Sequence, residues 1–592
     1  MIRINNPYLN LFQKVWFYGA AWRSSILLYY AAFILAQGLM SLSPYAFGKA
    51  IEVLQNFKAE NINQVIFWLV MGVVVILFFW LFHGPARVLE RTVALKIQQS
   101  YRLKLYEQLT HLPLKWHQDH HSGNIITRIN KSSQGLHRFA ENQFGYIQVF
   151  VRFWMSIGFL LWISVPVGLI SLVSSLVVFW TIYQFDRRLI PLYDAENDVE
   201  NHLGAVIFDY ISNMTTVLTL RLGELTHSNL FERMKTYWPF FRKEAVLNEG
   251  KWFSMMTLLA IVQAVTLIVY TVHSLNASET IMMGLVVMIF RYQWELSTVF
   301  QDLSMHLGEL TRMNTDVQTI EPILADIEKL AHLPKGASTA QAWHTIEIKN
   351  LSFHHAPGED RPQIFDKISF EIKRGEKIAL IGLSGGGKST LMNILSGLYV
   401  PSSVELNIDG LAFDSLEPLQ AITTLIPQDP EIFENTIAFN ITMDLPTEER
   451  EVHRVVKLAG FSKVLSALPQ GLATDIREKG LNLSVGQKQR LALARGLFAA
   501  RFSSLLLMDE PTSSVDLPTE REILSGVIEA FPESALLISL HRLHLLPHFD
   551  RVIMLSDGEI LASGSVEELL ARPGPVRDLW QAYQQDAKFE GT

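Results

Sequence analysis

Four stretches in the second half of this 592-residue chain carry residue types and spacings suited to phosphate chemistry. The first, KIALIGLSGGGKSTLMNIL, reads as an apolar strand, a glycine-rich turn and a helix start. The turn fits G-x-x-x-x-G-K-[ST] with Gly382, Gly387, Lys388 and Ser389. Glycines let the backbone curl so that successive N–H groups point at one anion, and the helix N-terminus adds the positive end of a dipole. Lys388 is then the reach to the β- and γ-phosphates, and the Ser389 hydroxyl a Mg2+ ligand. The second stretch, SSLLLMDE, follows about 120 residues later. It ends in Asp509, placed for Mg2+, and Glu510, a carboxylate able to orient and polarise an attacking water. The third and fourth are LIPQDPEIF, with Gln428 as a candidate sensor of Mg2+ and water, and LLISLHRL, with His541 as a candidate γ-phosphate contact. A lone Gln or His would default to packing, but order and spacing favour a role in hydrolysis.

One more stretch, LNLSVGQKQRLALARG, also has a serine, a glycine and a helix start. It reads as a second phosphate element in a chain that already has a better one. Val485 stands where a glycine is expected; it still supplies an N–H, but a β-branched residue disfavours positive φ.

The elements that must position these residues are unlike those of the first half. Hydrophobic content is 49%, concentrated in long runs before about residue 300. Six segments reach the roughly 20 apolar residues a membrane span needs: 26–47, 65–83, 143–164, 166–185, 253–275 and 280–300. The run from Ile26 is too long and too late for a cleaved signal, and no small-residue cleavage site follows. Residues 7–22, aromatic and amphipathic, read as an interfacial helix, with a short soluble cap as the alternative. The two long connections hold about nine and about eight Lys/Arg against two, none and none in the short ones. The positive-inside rule makes the long ones cytoplasmic, and both termini with them. Their helical composition suggests spans that continue into the cytoplasm and turn near 113–122 and 207–217.

Ionisable residues at membrane depth usually face a cavity or a partner, and here they are His83, Arg152, His273, Arg291 and Glu295. Arg291 and Glu295, four apart, share a helix face; they are candidates for a substrate cavity, with snorkelling or a structural ion pair as the alternative. His117, His120 and His121 read as a solvated turn rather than a metal site. Asn276, Ala277 and Ser278 form a sequon in an outer loop. The absence of cysteine excludes disulfides, thiolate catalysis and zinc-thiolate sites. A net charge of −8 gives no sign of a nucleic-acid binder.

Taken in order, these motifs resemble an ABC transporter of the exporter type, a half-transporter with one six-helix membrane domain fused to one nucleotide-binding domain. The resemblance covers nearly the whole chain. It implies an α-helical membrane domain, its six transmembrane helices extended into the cytoplasm, plus an α/β P-loop NTPase domain of the ABC type. The expected layout is an interfacial segment at 1–25, the membrane domain at 26–320, a linker at 321–342, the nucleotide-binding domain at 343–585 and a tail at 586–592.

The resemblance also assigns roles. The Walker A residues Gly382, Leu383, Ser384, Gly385, Gly386, Gly387, Lys388, Ser389 and Thr390 bind ATP, with Gln428 in the Q-loop and His541 as the switch. The signature Leu483, Ser484, Val485, Gly486 and Gln487 faces the ATP held by a partner chain, and the D-loop ends at Asp516. This is why one chain carries two phosphate elements. Departures from the family pattern are Val485, His355 where the adenine usually stacks on an aromatic, and Arg477 where glycine is usual, beside Glu478. The implied cofactors are ATP and Mg2+. The implied partner is a second half-transporter chain, a homodimer ahead of a heterodimer because Lys388, Asp509, Glu510 and His541 are all present.

The implied function is ATP-driven export of an amphipathic or hydrophobic solute by alternating access, in a bacterial inner membrane. A membrane-anchored regulatory ATPase that moves no solute is the alternative. No N-terminal peptidase-like domain is in view, so maturation of a peptide substrate is not expected.

Overall fold

The long apolar runs of the first half fold as helices, because in lipid only a helix satisfies its own backbone. The structure, a computed structural model, describes residues 6–55, 58–120, 122–276, 281–330, 343–354, 364–383, 385–429, 431–476 and 483–589. It divides into two units: Met1–His111 with His120–Ala331, and Leu112–Asp119 with His332–Thr592.

Among the described residues of the first unit, five helical stretches are long and apolar enough to cross a membrane: Ala20–Gln55, Ile62–Thr110, Ser122–Ile163, Val165–Ser212 and Gly223–Asn276. The sixth expected span, 280–300, lies in the 36-residue helix Met283–Gln318. It falls short in apolar character because Arg291, Gln293 and Glu295 interrupt it. Ile62–Thr110 has 49 residues, on the order of 70 Å at about 1.5 Å each. That exceeds the roughly 30 Å of bilayer hydrocarbon, so this helix extends well beyond it. Large apolar side chains are exposed along these helices, among them Leu77, Leu81 and Val173, as a lipid-facing surface requires.

The helices pair as Val165–Ser212 with Trp238–Asn276 and as Arg23–Met40 with Ile62–Thr110; Met283–Gln318 packs against Ser43–Gln55 and Gln143–Ile163. Glycines allow the close approach of two of them. A Cβ on Gly48 would lie 2.1 Å from Met288 Cγ, and one on Gly284 would lie 2.5 Å from the Gly48 carbonyl oxygen. Helix Pro7–Tyr18 begins with Asn6 as N-cap and proline at its first position. It is tied to Met283–Gln318 by Asn10 Nδ2 donating to Asn314 Oδ1 at 2.8 Å. The expected turns are short helices, Leu114–Asp119 and Met214–Thr219. The first of them belongs to the second unit, where Tyr399 Oη donates to Gln118 Oε1 at 3.3 Å.

The second unit has ten strands among its described residues: β1 Thr345–Phe353, β2 Phe365–Lys373, β3 Lys377–Ile381, β4 Ser403–Ile408, β5 Leu411–Phe413, β6 Thr423–Ile426, β7 Leu505–Asp509, β8 Ala535–Ser539, β9 Arg551–Ser556 and β10 Glu559–Ser565. One sheet has the order β2-β1-β4-β5 and is antiparallel throughout. The other has the order β10-β9-β3-β8-β7-β6, parallel from β9 to β6. Strands β3, β7 and β8 are buried at every residue, as the interior of a parallel sheet covered on both faces demands. Because successive side chains alternate, Leu506 and Met508 join one core while Leu505 and Leu507 join another.

Asp409 fastens the antiparallel sheet by accepting from the N–H of His344 at 3.0 and 2.9 Å and of Thr345 at 2.7 Å. The Thr345 N–H bond, with those of His344, holds its carboxyl below the usual carboxylate range. A carboxyl with a depressed folded pKa adds stability above its unfolded value, about 3.9, and loses it as pH falls through the folded value. Asp409→Asn is therefore expected to flatten the fall in this unit's unfolding temperature below about pH 4. An unchanged acid profile would contradict this.

Candidate active site

The parallel sheet determines which residues meet. Strands β3, β6, β7 and β8 run the same way, so the segments leaving their C-terminal ends share one edge, where open α/β sheets bind ligands. The loop after β3 begins at Gly382, Gln428 follows β6, Asp509 ends β7 and His541 follows β8. Sequence separation hid this convergence.

The P-loop is built from both ends. At the start of β3, the Lys377 ammonium is buried and donates to the carbonyls of Phe531 at 2.8 Å and Ser534 at 2.7 Å. Burial pushes it below the usual lysine range. At the other end, helix Lys388–Leu395 leaves Gly387 at φ +94° and packs against β6 and β7. Two glycines are required by space as well as by φ. A Cβ on Gly382 would lie 2.0 Å from the Leu555 carbonyl oxygen, and one on Gly387 2.8 Å from the Phe365 ring. Lys388 Nζ folds over the loop, donating to the carbonyls of Gly382 at 2.9 Å and Leu383 at 3.1 Å. Of the predicted ATP residues, Ser384 and His355 lie outside the described residues, as do Arg477 and Glu478.

The carboxylates lie next to each other at the end of β7. Asp509 is buried, and its Oδ1 accepts from Ser539 Oγ at 2.6 Å. The same Ser539 oxygen accepts from the Glu510 N–H at 2.8 Å. Glu510 is in the left-handed region, φ +42°, which a residue with a Cβ adopts only when its surroundings fix it. Its Oε2 accepts from Gln428 Nε2 at 2.8 Å. The Gln428 amide oxygen, the Asp509 carboxylate and the Ser389 hydroxyl are hard oxygen donors, the chemistry that suits Mg2+. His541 is exposed beside Arg542, which donates to Glu520 Oε2 at 2.9 Å and to the Val515 carbonyl at 2.8 Å.

Ser484 N-caps helix Val485–Ala499 through a complete capping box with Gln487. The Gln487 N–H donates to Ser484 Oγ at 3.3 Å and the Ser484 N–H to Gln487 Oε1 at 2.9 Å. Leu483 packs into the core. Val485 is the first helical residue and 65% exposed, and it does not have positive φ. The glycine that matters is Gly486, where a Cβ would lie 2.7 Å from the Ser514 carbonyl oxygen. Among the described residues, no hydrogen bond joins 483–487 to the P-loop. Asp516 caps helix Leu517–Ala530, accepting from the Thr519 N–H at 3.2 Å and Thr519 Oγ1 at 3.0 Å. Those bonds hold its carboxyl below the usual range.

Sequence reading missed Ser539 and Gln489. Ser539 ends an apolar strand just as Asp509 does, in register with it. Gln489 is a polar residue on the buried face that also holds Leu493 and Leu497.

In the first unit, Glu295 is half-buried, with Ser156 Oγ 3.5 Å from Oε2 and with Arg152 and Arg291 as the cations acting on it. Arg291 itself lies over the Phe47 ring at 5.9 Å. His83 is packed among aromatics, stacked on Phe79 at 4.7 Å and edge-on to Phe144 at 4.4 Å. A cavity of about 470 Å³ is lined by Tyr8, Tyr146, Phe153, Phe300, His306 and Leu310 among others; neither Arg291 nor Glu295 lines it. His117 lies in helix Leu114–Asp119, while His121, Ala277 and Ser278 are outside the described residues.

A phosphate loop, a carboxylate pair and a sheet of this order, on a chain with membrane-crossing helices, define an ATP-hydrolysing membrane protein. Residues 26–248 match the family model "ABC transporter transmembrane region", and residues 365–513 match "ABC transporter". The chain belongs to the ABC transporters, as a half-size exporter that joins one transmembrane region to one ATPase domain and couples ATP hydrolysis, with Mg2+, to transport.

Among its relatives is an "ATP-dependent lipid A-core flippase" of Burkholderia pseudomallei, 26% identical over 502 residues, 84% of this chain and 83% of that one. Another is "Heavy metal tolerance factor 1" of Caenorhabditis elegans, 25% identical over 499 residues, 82% of this chain and 60% of that one. A solved structure, "a bacterial Atm1-family ABC exporter with ATP bound", shares the fold with a TM-score of 0.79 at 22% identity, over 95% of this chain and 98% of that one. Half-size exporters of this kind generally work as dimers, and the chain is a multi-pass membrane protein.

The contrast between Val485 and Gly486 is testable. Val485→Gly should change stability by no more than about 1 kcal/mol and keep the ATPase active. Gly486→Ala forces a Cβ against backbone and should cost about 1–3 kcal/mol, with a matching loss of ATPase. The reverse ranking in melting temperature and turnover would contradict the geometry.

Proposed function

We propose that the chain exports an amphipathic or hydrophobic solute as a homodimer with two composite ATP sites. The membrane is a bacterial inner membrane, with both termini and the ATPase unit on the cytoplasmic side. Several features support this reading. Bacterial lipid A-core flippases stand among the relatives. Lys388, Asp509, Glu510 and His541 are all present, so neither site of a homodimer lacks a group. The Lys/Arg-rich long connections favour the cytoplasmic orientation. The single observation that carries the catalytic part is the 2.8 Å hydrogen bond from the Gln428 amide to the Glu510 carboxylate, at the sheet edge that also bears the P-loop.

In this reading, residues 382–390 bind the phosphates through backbone N–H groups, and Lys388 exchanges its two loop carbonyls for phosphate oxygens. Mg2+, when bound, neutralises phosphate charge; Ser389, Gln428 and Asp509 would hold it. Glu510 orients and polarises the attacking water while Gln428 fixes the carboxylate, and His541 meets the γ-phosphate. Residues 483–487 serve the ATP of the partner chain, with Asp516 capping the helix beyond. Helix Leu114–Asp119 passes closure of the ATPase units to the spans. The membrane domain is taken as 26–320 and the ATPase unit as 343–585.

Glu510→Gln should keep ATP binding while lowering Mg-ATPase by about 10²- to 10⁴-fold, measured on the purified chain in lipid. Wild-type turnover in that variant would sink the assignment.

A further inference from the structure

Gln489 lies one turn into helix Val485–Ala499 and is 5% exposed. Its side-chain Nε2 donates to the carbonyl of Glu510 at 3.1 Å and to Ser513 Oγ at 3.0 Å. Its Oε1 accepts from the Ser514 N–H at 2.9 Å. Three of the four hydrogen bonds available to an amide are thus directed into residues 510–514. Glu510 is the strained member of that segment. Its N–H is held by Ser539 and its carbonyl by Gln489, so both backbone polar groups of one left-handed residue are clamped by side chains from other elements. Gly486, three residues earlier on the helix, provides the room for this approach, since a Cβ there would meet the Ser514 carbonyl.

We propose that Gln489 is a positioning residue for ATP hydrolysis: by pinning the carbonyl of Glu510 and the segment behind it, it sets the direction in which the Glu510 carboxylate leaves the backbone. The proposal rests on the reading of Glu510 as the group that polarises water. Since the same helix starts at the Ser484 cap, a shift of that helix end is transmitted through Gln489 to Glu510.

A double-mutant cycle tests this on the purified full chain in lipid, with Mg-ATPase kinetics and binding of a fluorescent ATP analogue. Gln489→Met keeps the length and loses all three bonds. It should lower kcat by about 10- to 100-fold while KM for ATP and analogue binding stay within about twofold. Gln489→Glu keeps the acceptor but loses both donations, and should lower kcat likewise; it serves if the Met variant does not fold. In the Glu510→Gln background, adding Gln489→Met should change the residual rate by less than about twofold, because groups that act as a unit are not additive.

A loss that multiplies on top of Glu510→Gln, or one that falls on KM rather than kcat, would overturn the proposal. If Glu510→Gln is inert but Gln489→Met does not lower kcat, this proposal alone fails. If Glu510→Gln turns over normally, the reading of Glu510 fails first.

Discussion

One hydroxyl links the two adjacent acidic residues that the proposed mechanism uses, Asp509 through its carboxylate and Glu510 through its N–H. Ser539 Oγ donates to Asp509 and accepts from the Glu510 N–H, so it satisfies a buried carboxylate and helps fix an otherwise disfavoured backbone conformation at the next residue. It can do so only because β7 and β8 pair in parallel with Asp509 opposite Ser539. A slip of one residue would turn every side chain of a strand to the opposite face and dismantle both contacts. The register is secured by burial: all ten residues of β7 and β8 are buried, and their alternate side chains fill two separate cores. The apolar strands therefore shape the candidate site directly, through the register they enforce.

The membrane unit follows a different rule. Its helices present apolar side chains outward and bring glycines to close contacts inside, as at Gly48 and Gly284. Buried charges meet opposite charges at Glu90 and at Lys251. Glu90, fully buried, is bound by Arg87 and accepts from the N–H of Phe144, next to the start of helix Gln143–Ile163, at 2.9 Å. Lys251 meets Asp186 at 3.0 Å. The Lys251–Asp186 pair joins two helices, and separating its partners would leave an uncompensated charge.

Local constraints were legible in the sequence, and distant ones were not. The strand–turn–helix around Gly382 and Lys388 could be read because its glycines are dictated within nine residues. The Gln428–Glu510 bond could be expected only as two separate roles, since the two residues are 82 positions apart and sheet order alone brings them together. Val485 departs from the usual glycine with a residue that resists positive φ, and its place as the first helical residue makes no such demand. The last expected span was harder to read by apolar character, because Arg291, Gln293 and Glu295 dilute the helix that contains it. His83, read as a residue facing a cavity or partner, packs within an aromatic cluster that no local pattern announces.

The central claim is that ATP hydrolysis by this chain moves a solute across a bilayer. The most direct measurement is ATP-dependent protection, in sealed proteoliposomes with outward-facing ATPase units, of fluorescent-headgroup phospholipids and single-chain amphipaths from an external quencher. The account predicts that Mg-ATP, but not Mg-ADP, increases the protected fraction of at least one probe. Steady ATP hydrolysis with no probe redistributed would contradict it, and would favour an ATPase that regulates rather than transports.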